Sequence, residues 1–290
     1  KARKAGEFKI ISDVMKSTQK RLEELAKNDK EITGISTGFY DFDKLTSGLH
    51  ENELIIIAAR PAMGKTAFAL NLAVNAASKS DKAVALFNLE MSAEQLAMRM
   101  IAAAGGIEMN KVRTGRLEHN DWKKVNEAMS ELSETNLYIE DNAGMTISEI
   151  RAKCRRLATS DKGLGLIVID YLQLISGSSK NEGNRVQEVS EISRSLKTMA
   201  MELKVPVVAL AQLSRSVELR ENKRPIMSDL RESGSIEQDA DIVMFLYRDD
   251  YYNKAAAEQT DTSITELIIG KHRNGGTGTI ELLFERSMSN

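Results

Sequence analysis

One short segment carries residue types that bind a nucleotide phosphate. It follows the aliphatic run 54–58, precedes the helix-favouring run 67–77, and reads Ala59-Arg60-Pro61-Ala62-Met63-Gly64-Lys65-Thr66. In such a strand–loop–helix context, backbone N–H groups and the positive end of the helix dipole surround a phosphate. The side chain of Lys65 would reach the β- and γ-phosphates, and the Thr66 hydroxyl would bind Mg²⁺. Ala59 departs from the usual pattern, because a glycine normally stands there.

The predicted nucleotide contacts follow from this loop. They are Ala62, Met63, Gly64, Lys65, Thr66 and Ala67. A second aliphatic run, 166–169, ends in Asp170. Because the carboxyl ends of parallel strands meet at one edge of a sheet, Asp170 would lie near Thr66 and hold Mg²⁺, through water. The alternative is an aspartate that caps the next turn.

A polar residue follows each of two further predicted strands, and the role of each residue has two possible interpretations. Glu90 follows the run 83–89 and could polarise an attacking water as a general base, or could stabilise the start of the next helix. Gln212 follows the run 205–211 and could hydrogen-bond a γ-phosphate, or could be a solvated loop residue. The long polar loop beyond it, 213–241, could contact a ligand and move on hydrolysis, or could be a solvated face. Its cations include Arg215, Arg220, Lys223, Arg224 and Arg231.

Lys271 and Arg273 flank His272 just before a hairpin-turn signal, 274–276. Placed there, the two cations could reach the γ-phosphate of a neighbouring subunit, as an arginine finger does. They could equally protect an edge strand from aggregation through their charge.

Alternating aliphatic and helical runs predict the architecture that positions these residues. The predicted strands are 54–58, 83–89, 137–140, 166–169, 205–211, 242–247, 265–270 and 279–284. Capping signals at 92–95 and 146–149, a glycine stop at 105–106 and an amphipathic pattern over 186–203 mark helices between them. This order predicts an α/β fold, with a mostly parallel sheet covered by helices and a terminal antiparallel hairpin at one edge.

Composition limits the possible functions. The chain has 290 residues and a net charge of −2, so any nucleic-acid contact must be local. The single cysteine, Cys154, fits a buried apolar position, and the absence of a disulfide framework favours the cytoplasm. The three histidines form no zinc pattern, and no apolar run is long enough to span a membrane.

The first residues differ from the rest. Residues 1–30 are charged and predict a linker region with one helix, Ser12–Lys27, ahead of a domain over 31–290. That helix could lie on its own domain or dock on a neighbouring subunit. The chain starts at Lys1 without Met, which suggests a piece of a longer protein. The polar stretch 176–185 is a candidate for disorder.

Four stretches together resemble the RecA-like ATPases, and among them the C-terminal motor domain of the DnaB family of bacterial or phage replicative DNA helicases. They are 37–49, the P-loop 59–66, Asn88-Leu89-Glu90-Met91-Ser92 and 229–241. The stretches 169–173 and 271–275 add to the resemblance, which covers about residues 32–285. Within this family the P-loop form with Ala59 is the usual one.

The resemblance implies roles for single residues. Glu90 would be the catalytic carboxylate and Gln212 the γ-phosphate sensor. Lys271 and Arg273 would act across a subunit interface, and Arg99 would lie near the nucleotide. Single-stranded DNA would contact the following residues: Arg231, Glu232 and Gly234. His272 and Gly276 depart from the family pattern without removing a charge.

The resemblance also implies an assembly and an activity. It suggests a homohexameric ring that hydrolyses ATP with Mg²⁺, moves 5′–3′ on single-stranded DNA and unwinds duplex DNA. A helicase loader and a primase are the further implied partners, and residues 1–28 would link to an N-terminal domain. The alternatives are a RecA-like recombinase or DNA-repair ATPase, and a non-catalytic scaffold with a relic P-loop.

Overall fold

Eight strands form the centre of the fold in the computed structural model, which describes residues 8–28, 33–177, 183–233, 235–252 and 262–285. The strands are β1 (Leu54–Ala59), β2 (Ala83–Asn88), β3 (Leu137–Glu140), β4 (Leu164–Asp170), β5 (Val207–Gln212), β6 (Ile242–Tyr247), β7 (Thr262–His272) and β8 (Gly278–Glu285). Their order in the sheet is β3-β2-β4-β5-β1-β6-β7-β8. The pairs from β3 to β6 are parallel, and β7 and β8 add an antiparallel hairpin at one edge. The predicted fold class is confirmed.

Helices cover both faces of the sheet. The helices of the described residues are α1 (Ile11–Asn28), α2 (Tyr40–Thr46), α3 (Lys65–Lys79), α4 (Ala93–Gly105), α5 (Met109–Thr114), α6 (His119–Ser133), α7 (Ile147–Ala158), α8 (Arg185–Leu203), α9 (Ile236–Asp239) and α10 (Asp249–Tyr252). Of these, α1 is largely exposed and contributes no residue to the core. Alternate residues of β1 face opposite sides, because side chains along a strand have a period of two. Leu54 and Ile56 pack with α7 and α8, whereas Ile55 and Ile57 pack with α2, α3 and α4.

Local sequence signals explain several boundaries. Ser92 and Gln95 form the expected capping box at the start of α4, and Gly106 ends that helix at φ 65°. At the start of α7, Thr146 accepts the Glu149 N–H. The strand expected from residue 205 begins instead at Val207, since Pro206 has no N–H to donate to a sheet. Cys154 is buried, as expected, and burial raises the pKa of its thiol to about 12.

The expectation of one long loop over 213–241 was wrong. The segment forms 3₁₀ helices at Arg215–Leu219 and Met227–Ser233, followed by α9. Scattered apolar side chains anchor it, since Val217 and Leu230 are fully buried. Two of the cations considered for ligand contact are paired within the chain, Arg220 with Asp229 and Arg224 with Glu266.

The predicted N-terminal helix is confirmed as α1. Its apolar side chains Ile11, Met15 and Leu22 are more than half exposed. Within the described ranges, no helix has the length and apolar character needed to cross a membrane. The expectation of disorder at 176–185 falls partly on residues 178–182, which lie outside the described residues.

Phe245 tests the packing of the core, because its ring is fully buried in β6. Replacing Phe245 by Ala is expected to lower the free energy of unfolding by about 3–5 kcal/mol, through lost apolar burial and the cavity left behind. Denaturant unfolding followed by circular dichroism would measure it. Met201→Ala, at a largely exposed position of α8, is the control and should change stability by less than about 0.5 kcal/mol. Equal losses in both variants would contradict this account of the core.

Candidate nucleotide-binding site

The P-loop lies between the end of β1 and the start of α3. Ala62 and Gly64 have left-handed φ values of 69° and 85°, which turn the backbone sharply around the loop. Gly64 is the N-cap of α3 and provides no side-chain acceptor, so the first N–H groups of the helix are available to an anion. Met63 is buried in the core and anchors the loop from below.

The position of Ala59 does not require a glycine. It is the last residue of β1, it is fully buried, and it stands opposite Gln212 in the parallel pairing with β5. Positive φ values in the described loop begin only at Ala62. The departure from the usual P-loop pattern therefore has a structural reason: this position belongs to the strand.

Two of the predicted site residues, Lys65 and Thr66, meet the carboxylate of a third, Asp170. Asp170, at the end of β4, is 1% exposed. Its Oδ2 accepts hydrogen bonds from the Thr66 hydroxyl at 3.0 Å and from the Asn88 amide at 3.3 Å. Its Oδ1 lies 3.7 Å from Lys65 Nζ and accepts no hydrogen bond. The structure thus brings together Lys65, Thr66 and Asp170, as the sequence predicts.

Burial dominates the electrostatics of this pair. It raises the pKa of Asp170, against the opposing effect of the Lys65 charge, and it lowers the pKa of Lys65, against Asp170 and Glu90. A buried carboxylate oxygen without a hydrogen bond, beside a threonine hydroxyl, is the set of oxygen donors that Mg²⁺ prefers. The residues present therefore fit a magnesium ion.

The structure adds two residues that the sequence analysis did not single out. Asn88 bonds Asp170 and also accepts the N–H groups of Glu90 and Met91. Tyr171 places its ring 3.8 Å from Lys65 Nζ. The signal for Asn88 was its position at the end of β2, opposite Asp170 in the register.

Glu90 lies close enough to the P-loop for its charge to act on Lys65 and Asp170. It is exposed, and it precedes the N-cap Ser92 by two residues. The first-turn acid of α4 is Glu94, so Glu90 does not occupy the helix-stabilising position considered as its alternative. Its catalytic role stays a prediction.

Gln212 is the last residue of β5 and is partly exposed. The side chain of Gln173 holds its backbone from both sides, since it accepts the Gln212 N–H at 3.2 Å and donates to the Gln212 carbonyl at 3.1 Å. Gln212 lines a cavity of about 510 Å³ with Arg60 and Tyr171. This cavity adjoins the P-loop, and the sensor role stays a prediction.

Lys271 and Arg273 lie beside the amino ends of the parallel strands, whereas the P-loop lies at the carboxyl ends. His272 pairs with Ile242, the first residue of β6, whereas the P-loop follows the carboxyl end of the parallel neighbour β1. Lys271 Nζ donates to the Glu237 carbonyl at 2.6 Å, and burial followed by repulsion from Arg273 lowers its pKa. The two cations are therefore remote from the P-loop of their own chain.

The remaining predicted residues are placed only in part. Arg99, on α4, and Ala67 line the same groove of about 920 Å³ beside α3. Gly234 and the side chains of Arg231 and Glu232 lie outside the described residues, although the backbone at 231–233 belongs to a 3₁₀ helix. Contacts of these residues with nucleotide or DNA stay predictions.

Comparisons with known proteins agree with the geometry. A family model described as the DnaB-like helicase C-terminal domain matches residues 34–290. The chain is 58% identical over 280 residues to the replicative DNA helicase DnaB of Geobacillus stearothermophilus, and 58% identical over 277 residues to the replicative DNA helicase DnaC of Bacillus subtilis (strain 168). These alignments cover 97% and 96% of this chain but only 61% and 60% of the relatives, so the chain spans about three fifths of their length.

Two solved structures are also similar. One, described as an ATPase domain, superposes with a TM-score of 0.89 at 42% identity, over 98% of both chains. A DnaB-like replicative helicase, described together with its interactions with primase, gives a TM-score of 0.84 at 42% identity, over 97% of this chain and 66% of that one.

Proposed function

The chain belongs to the family of DnaB-like helicase C-terminal domains, and from this premise we propose that it is the ATP-hydrolysing motor of a replicative DNA helicase. The observation that carries the proposal is the convergence of Lys65 and Thr66 on the buried Asp170 beneath the N-terminus of α3. The family match does not favour the alternative of a recombinase or repair ATPase.

In this proposal the P-loop binds the phosphates of ATP. The N–H groups of 62–67 surround the phosphate oxygens, and Lys65 leaves Asp170 and Tyr171 to neutralise β- and γ-phosphate charge. Thr66 and Asp170 would hold Mg²⁺, which supplies positive charge against the phosphate oxygens when bound. The buried Asp170 oxygen without a hydrogen bond supports this assignment.

Hydrolysis needs a group that orients and activates water. Glu90 suits that role, because Asn88 fixes its backbone beside the P-loop while its side chain remains exposed. Gln212 lies at the end of β5, which pairs with the P-loop strand β1, and would hydrogen-bond the γ-phosphate. Its backbone is joined to Gln173, and the cavity it lines extends to Asp229 and Ser233, so loss of the γ-phosphate would be transmitted toward the segment 231–234.

We further propose a hexameric ring with nucleotide at the subunit interfaces. Lys271 and Arg273 lie beside the amino ends of the parallel strands, away from their own P-loop at the carboxyl ends, which suits cations that serve a neighbour's nucleotide. Helix α1 exposes its apolar side chains, which suits docking on an adjacent subunit, with 1–30 as linker and 31–290 as motor domain.

Single-stranded DNA is the proposed ligand of Arg231, Glu232 and Gly234 in the channel, with 5′–3′ movement. A helicase must ignore sequence, so contacts to phosphates should dominate. The similar helicase described with its interactions with primase supports primase as a partner, alongside a helicase loader. Measuring the ATPase rate with and without single-stranded DNA, together with native mass and an unwinding assay, tests this function. A rate insensitive to DNA, or strand exchange without unwinding, would contradict it.

Mixed assemblies test whether the cations act in trans. Arg273→Ala and Lys65→Ala should each be inactive alone, since an arginine finger contributes about 10³–10⁵ in rate. When the two variants are mixed before assembly, some interfaces combine an intact P-loop with an intact Arg273, and ATP turnover should partly return. Phosphate release measured across mixing ratios checks this, and the absence of rescue at every ratio would argue against the interface assignment.

A further inference from the structure

A buried carboxylate stands at the amino end of β6, where the proposed motor mechanism gives it no role. Asp241 is 5% exposed. Its Oδ2 accepts the Leu54 N–H at 2.8 Å and Lys197 Nζ at 2.7 Å, and its Oδ1 accepts Arg273 Nη1 at 3.0 Å. The backbone of Asp241 also bonds Leu54 and Arg273. One residue thus connects β1, α8 and the turn that carries Arg273.

The Arg273 guanidinium is held at two points. Nη1 bonds the Asp241 carboxylate, and Nη2 donates to the Gln238 carbonyl at 3.0 Å. Lys271 donates to the neighbouring carbonyl of α9, that of Glu237. Both cations therefore lie against α9, which begins immediately after the segment proposed to contact DNA.

Helix α9 is itself fixed in place. The Asp239 carboxylate accepts the hydroxyls of Ser235 and of Ser193 in α8. These bonds fix the two ends of α9, on either side of the carbonyls that hold the cations, and Asp241, which follows α9, is held by β1 and by Lys197. An arginine has five N–H donors, and these side-chain bonds use two of them, while 45% of the Arg273 side chain is exposed. The exposed part can meet a phosphate without the guanidinium leaving its support.

We propose that Asp241 is a positioning residue that fixes the Arg273 guanidinium for the nucleotide site of the adjacent subunit. This inference rests on the proposed function, because it assumes that Arg273 acts in trans. A long arginine side chain on a turn samples many rotamers, and a donor that stabilises a transition state is effective when it is already oriented. The hydrogen bond to Asp241 restricts the rotamers of Arg273 and keeps its guanidinium in one orientation.

The test is Asp241→Asn, which keeps the size of the side chain and removes its charge. Loss of orientation at a catalytic group costs about 10²-fold, so kcat for ATP should fall by about that factor while KM changes little. Glu202→Gln is the matched control, since it makes the same change on an exposed carboxylate that also pairs with arginines. Its turnover should equal that of the unaltered chain.

Two further measurements separate positioning from a general structural role. Adding Asp241→Asn to Arg273→Ala should cause no further loss of kcat, because both changes remove the same contribution. Mixing Asp241→Asn with Lys65→Ala subunits should restore turnover, since the Asp241→Asn subunits keep their own P-loop and gain an intact neighbour. Should thermal unfolding show that Asp241→Asn does not fold, Asp241→Glu replaces it: the charge stays but the carboxylate moves by one methylene, and the same loss and rescue are expected.

Two results would overturn the inference, and they differ. Unchanged kcat, or a loss that Lys65→Ala subunits fail to rescue while they do rescue Arg273→Ala, would show that Asp241 does not act through Arg273. Failure to rescue Arg273→Ala itself would overturn the trans arrangement, and with it this role for Asp241.

Discussion

Replacing Lys65 by Ala is expected to lower ATP turnover by about 10³-fold or more. Lys65 is the cation at the start of α3, and its side chain is only 11% exposed. In such a poorly hydrated position, positive charge against the developing charge of the phosphates is worth far more than in water. Two other cations lie at the P-loop, but both are engaged elsewhere: Arg60 bonds Glu218 and the Leu213 carbonyl, and Arg248 bonds Asp250 and the Ala62 carbonyl. Within the described residues, Lys65 is the cation that pairs with Asp170 at the start of α3. Phosphate release at saturating ATP, with single-stranded DNA present, measures the effect.

The same substitution should also weaken nucleotide binding, because Lys65 contacts the phosphates in the ground state as well. Lys79→Ala is the matched control, since Lys79 is an exposed lysine at the other end of the same helix. Its ATP turnover should be unchanged. Normal turnover in Lys65→Ala would remove the P-loop from the catalytic site altogether.

The helices and strands of the fold could be predicted from the sequence, because each leaves a recognisable pattern of apolar residues. Six consecutive residues of β1 are buried, as expected for a strand covered on both faces, and the aliphatic run 54–58 already predicts this strand. The ends of such strands share one edge in a parallel sheet. Asp170, Glu90 and Gln212 could therefore be placed at one edge of the sheet before any contact was known, while the roles of Glu90 and Gln212 stayed open.

Contacts that depend on strand order could not be assigned in this way. Asn88 meets Asp170 because β2 lies beside β4, and Gln173 holds Gln212 because β4 lies beside β5. Neither adjacency can be read from the chain. The hairpin of β7 and β8 was predictable from its turn, but its pairing with β6 decides that Arg273 faces away from the P-loop of its own chain.

The segment 213–241 shows a different limit. Its composition is polar, and the few apolar residues lack a strand or helix period, so the sequence favours a loop. In the structure Val217, Leu230 and Ile236 are buried singly and fix short helices against the core. Whether such a single apolar side chain is buried depends on the part of the core that it contacts, and the neighbouring sequence does not reveal that contact.

Glu90→Gln is expected to stop hydrolysis while leaving ATP binding intact. The amide has the size of the carboxylate and can still hydrogen-bond water, but it cannot accept the proton, and general-base catalysis contributes about 10²–10⁴ in rate. The backbone contacts from Asn88 to Glu90 and Met91 do not involve the replaced group. Single-turnover phosphate release should therefore fall by that factor, whereas the Kd for ATP, measured by calorimetry, should change by less than about threefold.

Glu94→Gln is the control, because it makes the same change four residues along the chain, in the first turn of α4. It should leave both the rate and the Kd unchanged. Comparison with Lys65→Ala separates the two roles: the lysine variant should lose binding and turnover together, and the glutamine variant turnover alone. If Glu90→Gln turned over at the normal rate, the activating base would have to be sought elsewhere. If it lost ATP binding as well, Glu90 would act on the P-loop through its charge rather than on water.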